Sequence, residues 1–212
     1  MKCADCSTQL CQIRQRTELP EGCPMLDRDR QEQAATIYRD PEVRSFYTDT
    51  LTSMAQSFGT MPRIIEAVNF CRLRGYRKIG VAYCSGMLRF GQAVSGIFRK
   101  HGFEVCSVGC KLGGFSPEEL TGQPIGGRKP RTDPSGAPKP ERAICNPVGQ
   151  AQLLNEAGTE FNVVAGLCVG HDSLFFRYSD APCTVVVLKD RLFPDQCLPS
   201  VQAAQEWEWP QG

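Results

Sequence analysis

A chain of 212 residues, 41% hydrophobic and 22% charged, is long enough to bury a core, and one domain with an appendage is the default reading. Its 24 lysines and arginines against 23 acids leave a net charge of +1, with no basic excess for nucleic acid and no charge block for an interaction tail. The longest apolar runs, such as CTVVVL, are strand-sized and too short to cross a bilayer, and no apolar leader follows Lys2, so the expected location is cytoplasmic.

Residues 1–25 carry Cys3, Cys6, Cys11 and Cys23 but few large apolar side chains, and read as a cysteine-rich metal-binding segment that cannot build a core unaided. Residues 26–76 read as a helical layer. DRDRQEQAATIYR is followed by DPEVRSFYTDTLTSMAQSF, in which Asp40 suits an N-cap and Pro41 the first helical position. Val43, Phe46, Tyr47, Leu51 and Met54 recur there at helical spacing and predict one buried face. MPRIIEAVNFCRLRGY predicts a third helix, with Pro62 early and Gly75 as its stop.

The texture changes over residues 77–192. RKIGVAY, FEVCSVG, FNVVAGL and CTVVVLKD read as strands, with MLRFGQAVSGIFRKHG, NPVGQAQLLNEAG and SLFFRYS as helices between them. SPEEL opens a short helix, and residues 121–140, rich in proline and glycine, read as a long exposed loop. Residues 193–212 form a tail with one short helix. The expected architecture is α/β: a small, mostly parallel sheet with helices on both faces, an N-terminal helical layer and a cysteine-rich cap.

Twelve cysteines are many for a reducing compartment, where structural disulfides are rare. Metal or cluster ligation, or redox chemistry, explains them better than a disulfide framework. Cys84, Cys110 and Cys168 follow predicted strands, and Cys145 precedes a helix that Asn146 caps. In open α/β sheets ligands bind beyond the carboxyl ends of strands, beside helix N-termini, where thiolates are stabilised. Four thiolates meeting there suit tetrahedral zinc or an iron–sulfur cluster, and the sequence does not separate the two. Ser85 and Gly86 shape the turn after Cys84, and Gly109, Gly113, Gly114 and Gly170 allow backbone to approach a bound centre. The opposing reading makes some of these thiols small buried side chains.

The N-terminal spacing is C-x2-C-x4-C-x11-C. Its close pair lets two sulfurs reach one metal, although the whole matches neither zinc ribbons nor bacterial ferredoxins. Cys71, Cys106 and Cys183 read as core, and Cys197 carries no signal. His101, at a helix C-terminus, reads as a structural and partly cationic ring. His171, three residues after Cys168, reads as a metal ligand, an acid–base group or a donor to a thiolate, or as part of a helix cap with Asp172. Cys84 and Arg89 are separated by four residues, one short of the cysteine-phosphatase spacing. A nucleophilic pair of Cys84 or Cys168 with His171 leaves the remaining thiols unexplained. Phosphate-loop and dinucleotide signatures are absent.

CNPVGQAQLLNEAGTEFNVVAGLCVGHDSLFFRYSDAPCTVVVLKDR, with YCSGM and CADC, resembles an uncharacterised prokaryotic family of cysteine-rich, cytosolic proteins described as metal-binding and grouped under a numbered domain of unknown function. More distantly, CSGMLRFGQ followed by CKLGG is similar to small proteins described as zinc-binding, with Cys84, Ser85, Gly86, Gly91, Gln92, Cys110, Gly113 and Gly114 in the matching places. The resemblance implies metal binding without supplying a reaction. Two classes stay open: a zinc or iron–sulfur protein acting as carrier, sensor or electron-transfer module, and a cysteine-dependent enzyme with its reactive thiol at the sheet edge. The expected partner is a metal ion or cluster, with neither nucleic acid nor membrane; no protein partner is legible.

Overall fold

The computed structural model describes residues 3–124, 131–193 and 196–209, which form two compact units, 1–52 and 53–212. Residues 125–130 of the proline- and glycine-rich stretch, and 194–195 and 210–212 of the tail, lie outside the described residues.

The first unit opens with 3₁₀ turns at Cys3–Asp5, Leu10–Ile13 and Pro24–Leu26 and continues into helix α1, Arg28–Thr36. None of these elements buries a residue, in keeping with a composition too poor in large apolar side chains for a core. Asp27 caps α1 by accepting from Arg30 N at 3.1 Å. Asp40 does the same for α2, Pro41–Ser57, accepting from the backbone N–H groups of Glu42 (2.9 Å) and Val43 (3.1 Å).

The expected apolar face of α2 is not buried. Tyr47, Leu51 and Met54 are exposed, and the buried positions are Ser53 and Ser57. Within the second unit Ser53 Oγ donates to Glu66 O, and Asn69 Nδ2 donates to Ser53 Oγ and to Gln56 Oε1 (2.8 Å). Small polar side chains let the end of α2 lie close to α3, and the polar contacts there replace the apolar seam that periodicity predicts.

The second unit is built on four parallel strands: β1, Lys78–Tyr83; β2, Glu104–Gly109; β3, Phe161–Ala165; and β4, Cys183–Val187, in the order β2-β1-β3-β4. β3 is buried throughout and β1 through its middle, as befits central parallel strands covered on both faces. β1 and β2 are linked through α4, Leu88–Lys100, and β2 and β3 through α6, Pro147–Glu156; α7, His171–Tyr178, leads into β4. The first step across the sheet runs one way and the next two run back. Right-handed crossovers therefore put α4 on one face and α6 with α7 on the other.

Helix α8, Leu198–Gln205, packs against α4 and against helix α3, Arg63–Leu73, which also meets β4. Ile64, Ile65, Val68 and Cys71 of α3 are fully buried in the same core as Val201 and Ala204 of α8. α3 and the tail helix thus belong to the α/β body, where the sequence reading set them in a separate layer and a separate tail. Beyond α8, Trp209 lies under the Arg72 guanidinium (4.9 Å to the ring centre) and edge-on to Trp207 at 6.3 Å. Lys100 Nζ ties this segment down through Trp207 O (3.1 Å) and Glu208 Oε1 (2.5 Å).

Ser116 opens the short helix α5, Pro117–Thr121, with a complete capping box through Glu119. The described residues 131–140 of the proline- and glycine-rich stretch are an exposed loop that folds back on itself. Thr132 pairs with Pro138, and the Asp133 carboxylate accepts from Ser135 N, Ser135 Oγ and Ala137 N.

Candidate thiol site at the carboxyl edge of the sheet

Strand order reverses at β1, which opens a crevice beyond the carboxyl ends of β1 and β3. The backbone ladder continues one residue past the strands and fixes two cysteines there. Cys84 N, directly after β1, donates to Ala165 O at 3.1 Å, and Cys110 N, directly after β2, donates to Tyr83 O at 3.0 Å. Asn146 N then donates to Cys110 O at 2.8 Å, which seats Cys145 beside Cys110 at the start of α6. Lys111 Nζ donates to Ala143 O and holds the incoming segment. Cys168 sits in the loop between β3 and α7, its carbonyl accepting from the backbone N–H groups of His171 (2.9 Å) and Asp172 (3.2 Å).

Two further residues shape the edge. Gln150, in the first turn of α6, is fully buried, and its Nε2 donates to Val108 O (2.7 Å) and Tyr83 O (3.3 Å), clamping the ends of β2 and β1 together. Gly91 of α4 lies over the Tyr83 ring, where a Cβ would sit 2.6 Å from ring carbon, so this helix approaches the end of β1 only with glycine there.

The four sulfurs form a connected chain. Cys145 Sγ donates to Cys110 Sγ at 3.5 Å, and Cys84 and Cys110 are close enough to shift each other's pKa. Ser85 adds its N–H (3.3 Å) and its Oγ (3.5 Å) to Cys110 Sγ. Lys189 Nζ, just past β4, bridges Cys84 Sγ (2.8 Å) and Cys168 Sγ (3.4 Å), and Arg191 donates to Cys168 Sγ at 3.3 Å.

The hydrogen bond from Cys84, helped by the N–H and hydroxyl of Ser85, outweighs burial and lowers the Cys110 thiol to about 6. Cys84 is pushed up to about 12, first by its bond to Cys110 and then by burial, although Lys189 pulls the other way. The two titrate as a pair, with the first charge resting on Cys110 and one proton kept between them near neutral pH. Burial works against the Lys189 charge, but Cys84 and Cys168 outweigh it and raise its pKa. Cys168 likewise raises that of Arg191.

His171 opens α7 beside these thiols. Burial and then the Lys111 charge lower its pKa, so the neutral ring is favoured, and its Nδ1 is buried without a protein partner. Asp172 does not cap α7 from outside. It lies in the first turn and accepts from Gly170 N and Ser173 N, while Gly170 takes the cap position with φ 84°.

Cys3, Cys6, Cys11 and Cys23 line a single cavity of about 800 Å³ in the first unit. Cys6 has a lowered pKa through the backbone N–H of Gln9 and then Thr8, whose Oγ1 lies 3.6 Å away. Among the described residues no three His, Cys, Asp or Glu side chains already stand where they close on one ion, in this cavity or at the sheet edge.

Cys71 is fully buried in the core, its thiol pushed up to about 12 by burial, whereas Cys106 and Cys183 are only half-buried against it. Cys197 begins α8 and donates to Leu188 O at 3.5 Å. His101 departs from its expected cationic character. Burial, then Arg72 and Lys100, lower its pKa, so the neutral ring is favoured.

Sequence reasoning missed Lys189, Arg191 and Gln150. The first two had a signal: basic residues directly succeed CTVVVL, and a parallel strand hands the residues at its carboxyl end to the binding edge. Gln150 had none, because a glutamine in a helix reads as solvent-facing until the packing is known.

No solved structure matches the chain. An uncharacterised protein of Methanocaldococcus jannaschii is 35% identical over 193 residues, covering 91% of this chain and 89% of its own. The matching family model spans residues 23–186, a stretch that holds all four sheet-edge cysteines and His171 but begins after Cys3, Cys6 and Cys11. The chain belongs to the family described as protein of unknown function, DUF1847.

Proposed function

We propose that the protein binds a thiolate-ligated metal centre, zinc or iron–sulfur, at the carboxyl edge of its sheet, through Cys84, Cys110, Cys145 and Cys168. The observation that carries this reading is Cys110, in contact with Cys145 at 3.5 Å and electrostatically coupled to Cys84, with Cys168 joined to Cys84 through Lys189. Sulfurs around a tetrahedral ion stand about 3.8 Å apart for Zn–S bonds of about 2.3 Å. Charge supports the same assignment. Four thiolates around a divalent ion, or a cluster core of the same charge, leave −2, and Lys189 and Arg191 bring +2. Closing on an ion requires the ammonium of Lys189 to withdraw from between Cys84 and Cys168 while remaining near enough to neutralise them. His171 serves as a donor to a ligand sulfur, or as a ligand in place of one cysteine.

Cys3, Cys6, Cys11 and Cys23 supply a second centre, whose binding free energy organises a segment that buries none of its own residues. All twelve cysteines are free, which fits a reducing cytoplasm. A carrier, sensor or electron-transfer role suits such centres, with the metal ion or cluster as the partner and neither nucleic acid nor membrane involved. No helix among the described residues is long and apolar enough to cross a membrane.

The test is anaerobic purification with metal analysis and an absorbance spectrum. A brown, oxygen-sensitive protein identifies a cluster; a colourless one with stoichiometric zinc identifies zinc. Cys110→Ser should lose the sheet-edge centre in either case, and unchanged metal content in that variant would refute the assignment.

A second reading makes the edge a reactive-cysteine site. The lowered pKa of Cys110 favours it and places the thiolate away from Cys84, whose thiol is pushed up.

A further inference from the structure

We propose that the metal-free protein carries out thiol–disulfide exchange with low-molecular-weight disulfides, with Cys145 as the attacking residue and Cys110 as the resolving one.

Three observations converge on this pair. Their sulfurs are 3.5 Å apart, with Cys145 as the donor and Cys110 as the acceptor. Their backbones are tied by the bond from Asn146 N to Cys110 O, 2.8 Å, and again by Lys111 Nζ to Ala143 O, so the two chains already run side by side as a bridge requires. Their exposure is graded: Cys145 is half-buried, whereas Cys110 is only 2% exposed. A substrate reaches the more exposed sulfur first, and the other is placed to resolve the product.

The chemistry closes on itself. Cys145 passes its proton to Cys110 along their hydrogen bond and, as the thiolate, attacks one sulfur of the small disulfide. The S–S bond breaks, and the leaving thiolate takes the proton that Cys145 shared with Cys110, departing as a thiol. Cys110 thiolate then attacks Cys145 Sγ, breaking the mixed disulfide and expelling the second half of the substrate as a thiolate. One thiol, one thiolate and one small disulfide become one protein disulfide, one small thiol and one small thiolate. The N–H and hydroxyl of Ser85, which hold the Cys110 sulfur, orient it toward Cys145. A bound metal occupies the same sulfurs, so exchange belongs to the metal-free chain and does not depend on the metal reading being right.

The experiment uses the full chain, stripped with a chelator under reducing conditions, desalted and exposed to oxidised glutathione. Free thiols are then alkylated and the peptides mapped by mass spectrometry. The expected result is a disulfide joining Cys110 to Cys145 without retained glutathione. Cys110→Ser should instead trap glutathione on Cys145, and Cys145→Ser should leave Cys110 fully alkylatable. A bridge from Cys110 to Cys84 overturns the proposal. So does a wild-type protein in which Cys145 stays free while the exposed Cys3 and Cys11 take up glutathione. The wild-type map decides the question even if a variant fails to fold, and metal content measured on untreated protein keeps failure here distinct from failure of the metal centre.

Discussion

Cys84 and Cys71 are both buried cysteines, yet their surroundings assign them opposite duties. Cys84 touches Cys110 and Lys189, while Cys71 faces only the core. Cys84→Ser should abolish the sheet-edge centre and whatever stability the metal supplies, read as metal content and as loss of the shift in melting temperature on metal addition. Cys71→Ser should keep the metal and cost about 1–3 kcal/mol of packing. Equal metal loss in both variants would dissolve the distinction. Lys189→Met removes one of two compensating charges, so metal affinity measured by chelator competition should fall several-fold; affinity that rises would show that the ammonium competes with the ion. His171→Ala leaves metal content intact if the ring only donates to a sulfur and removes the metal if it is a ligand.

At the scale of elements, β1 and β3 were legible because central parallel strands are continuous apolar runs, and the edge strands β2 and β4 because their runs are rich in β-branched residues. The thiols at their ends were legible for the same reason, since parallel strands deliver their carboxyl ends to one edge. The face of α2 was not. Tyr47, Leu51 and Met54 have the helical period, but burial was decided by Ser53 and Ser57, which allow close approach to α3. The small-residue demand of the sheet was equally hidden. Gly80 of β1 faces Asn162, whose Oδ1 would lie 1.9 Å from a new Cβ and is held there by Thr159 Oγ1 at 2.8 Å. Gly80→Ala should therefore destabilise the α/β body by about 1–3 kcal/mol, seen as a lower urea midpoint with unchanged slope; an unshifted midpoint would mean that the Asn162 network yields freely. In the other unit, Cys3→Ser with Cys6→Ser should remove one metal equivalent and leave the sheet's circular dichroism untouched. Metal content equal to that of the wild type would exclude the four-cysteine cavity as a centre.

For the whole molecule, alkaline pH tests the core, and Cys71 is its fully buried reporter. Burial raises the Cys71 thiol from 9.0 to about 12. A folded pKa above the unfolded one means its contribution is complete below pH 9 and erodes as pH rises from about 9 toward 12, because only the unfolded chain can ionise there. Replacing Cys71 with alanine should flatten that part of the stability curve relative to wild type, after allowance for the packing lost. Parallel curves would assign the alkaline loss to other thiols. The chain's two tryptophans both fall in the segment after α8, which Arg72 and Lys100 hold down. Indole emission from this protein is therefore a local signal. It reports whether that terminal strap is seated on the helices beneath it, and a red shift preceding any loss of far-ultraviolet ellipticity would record the strap peeling away from an intact sheet.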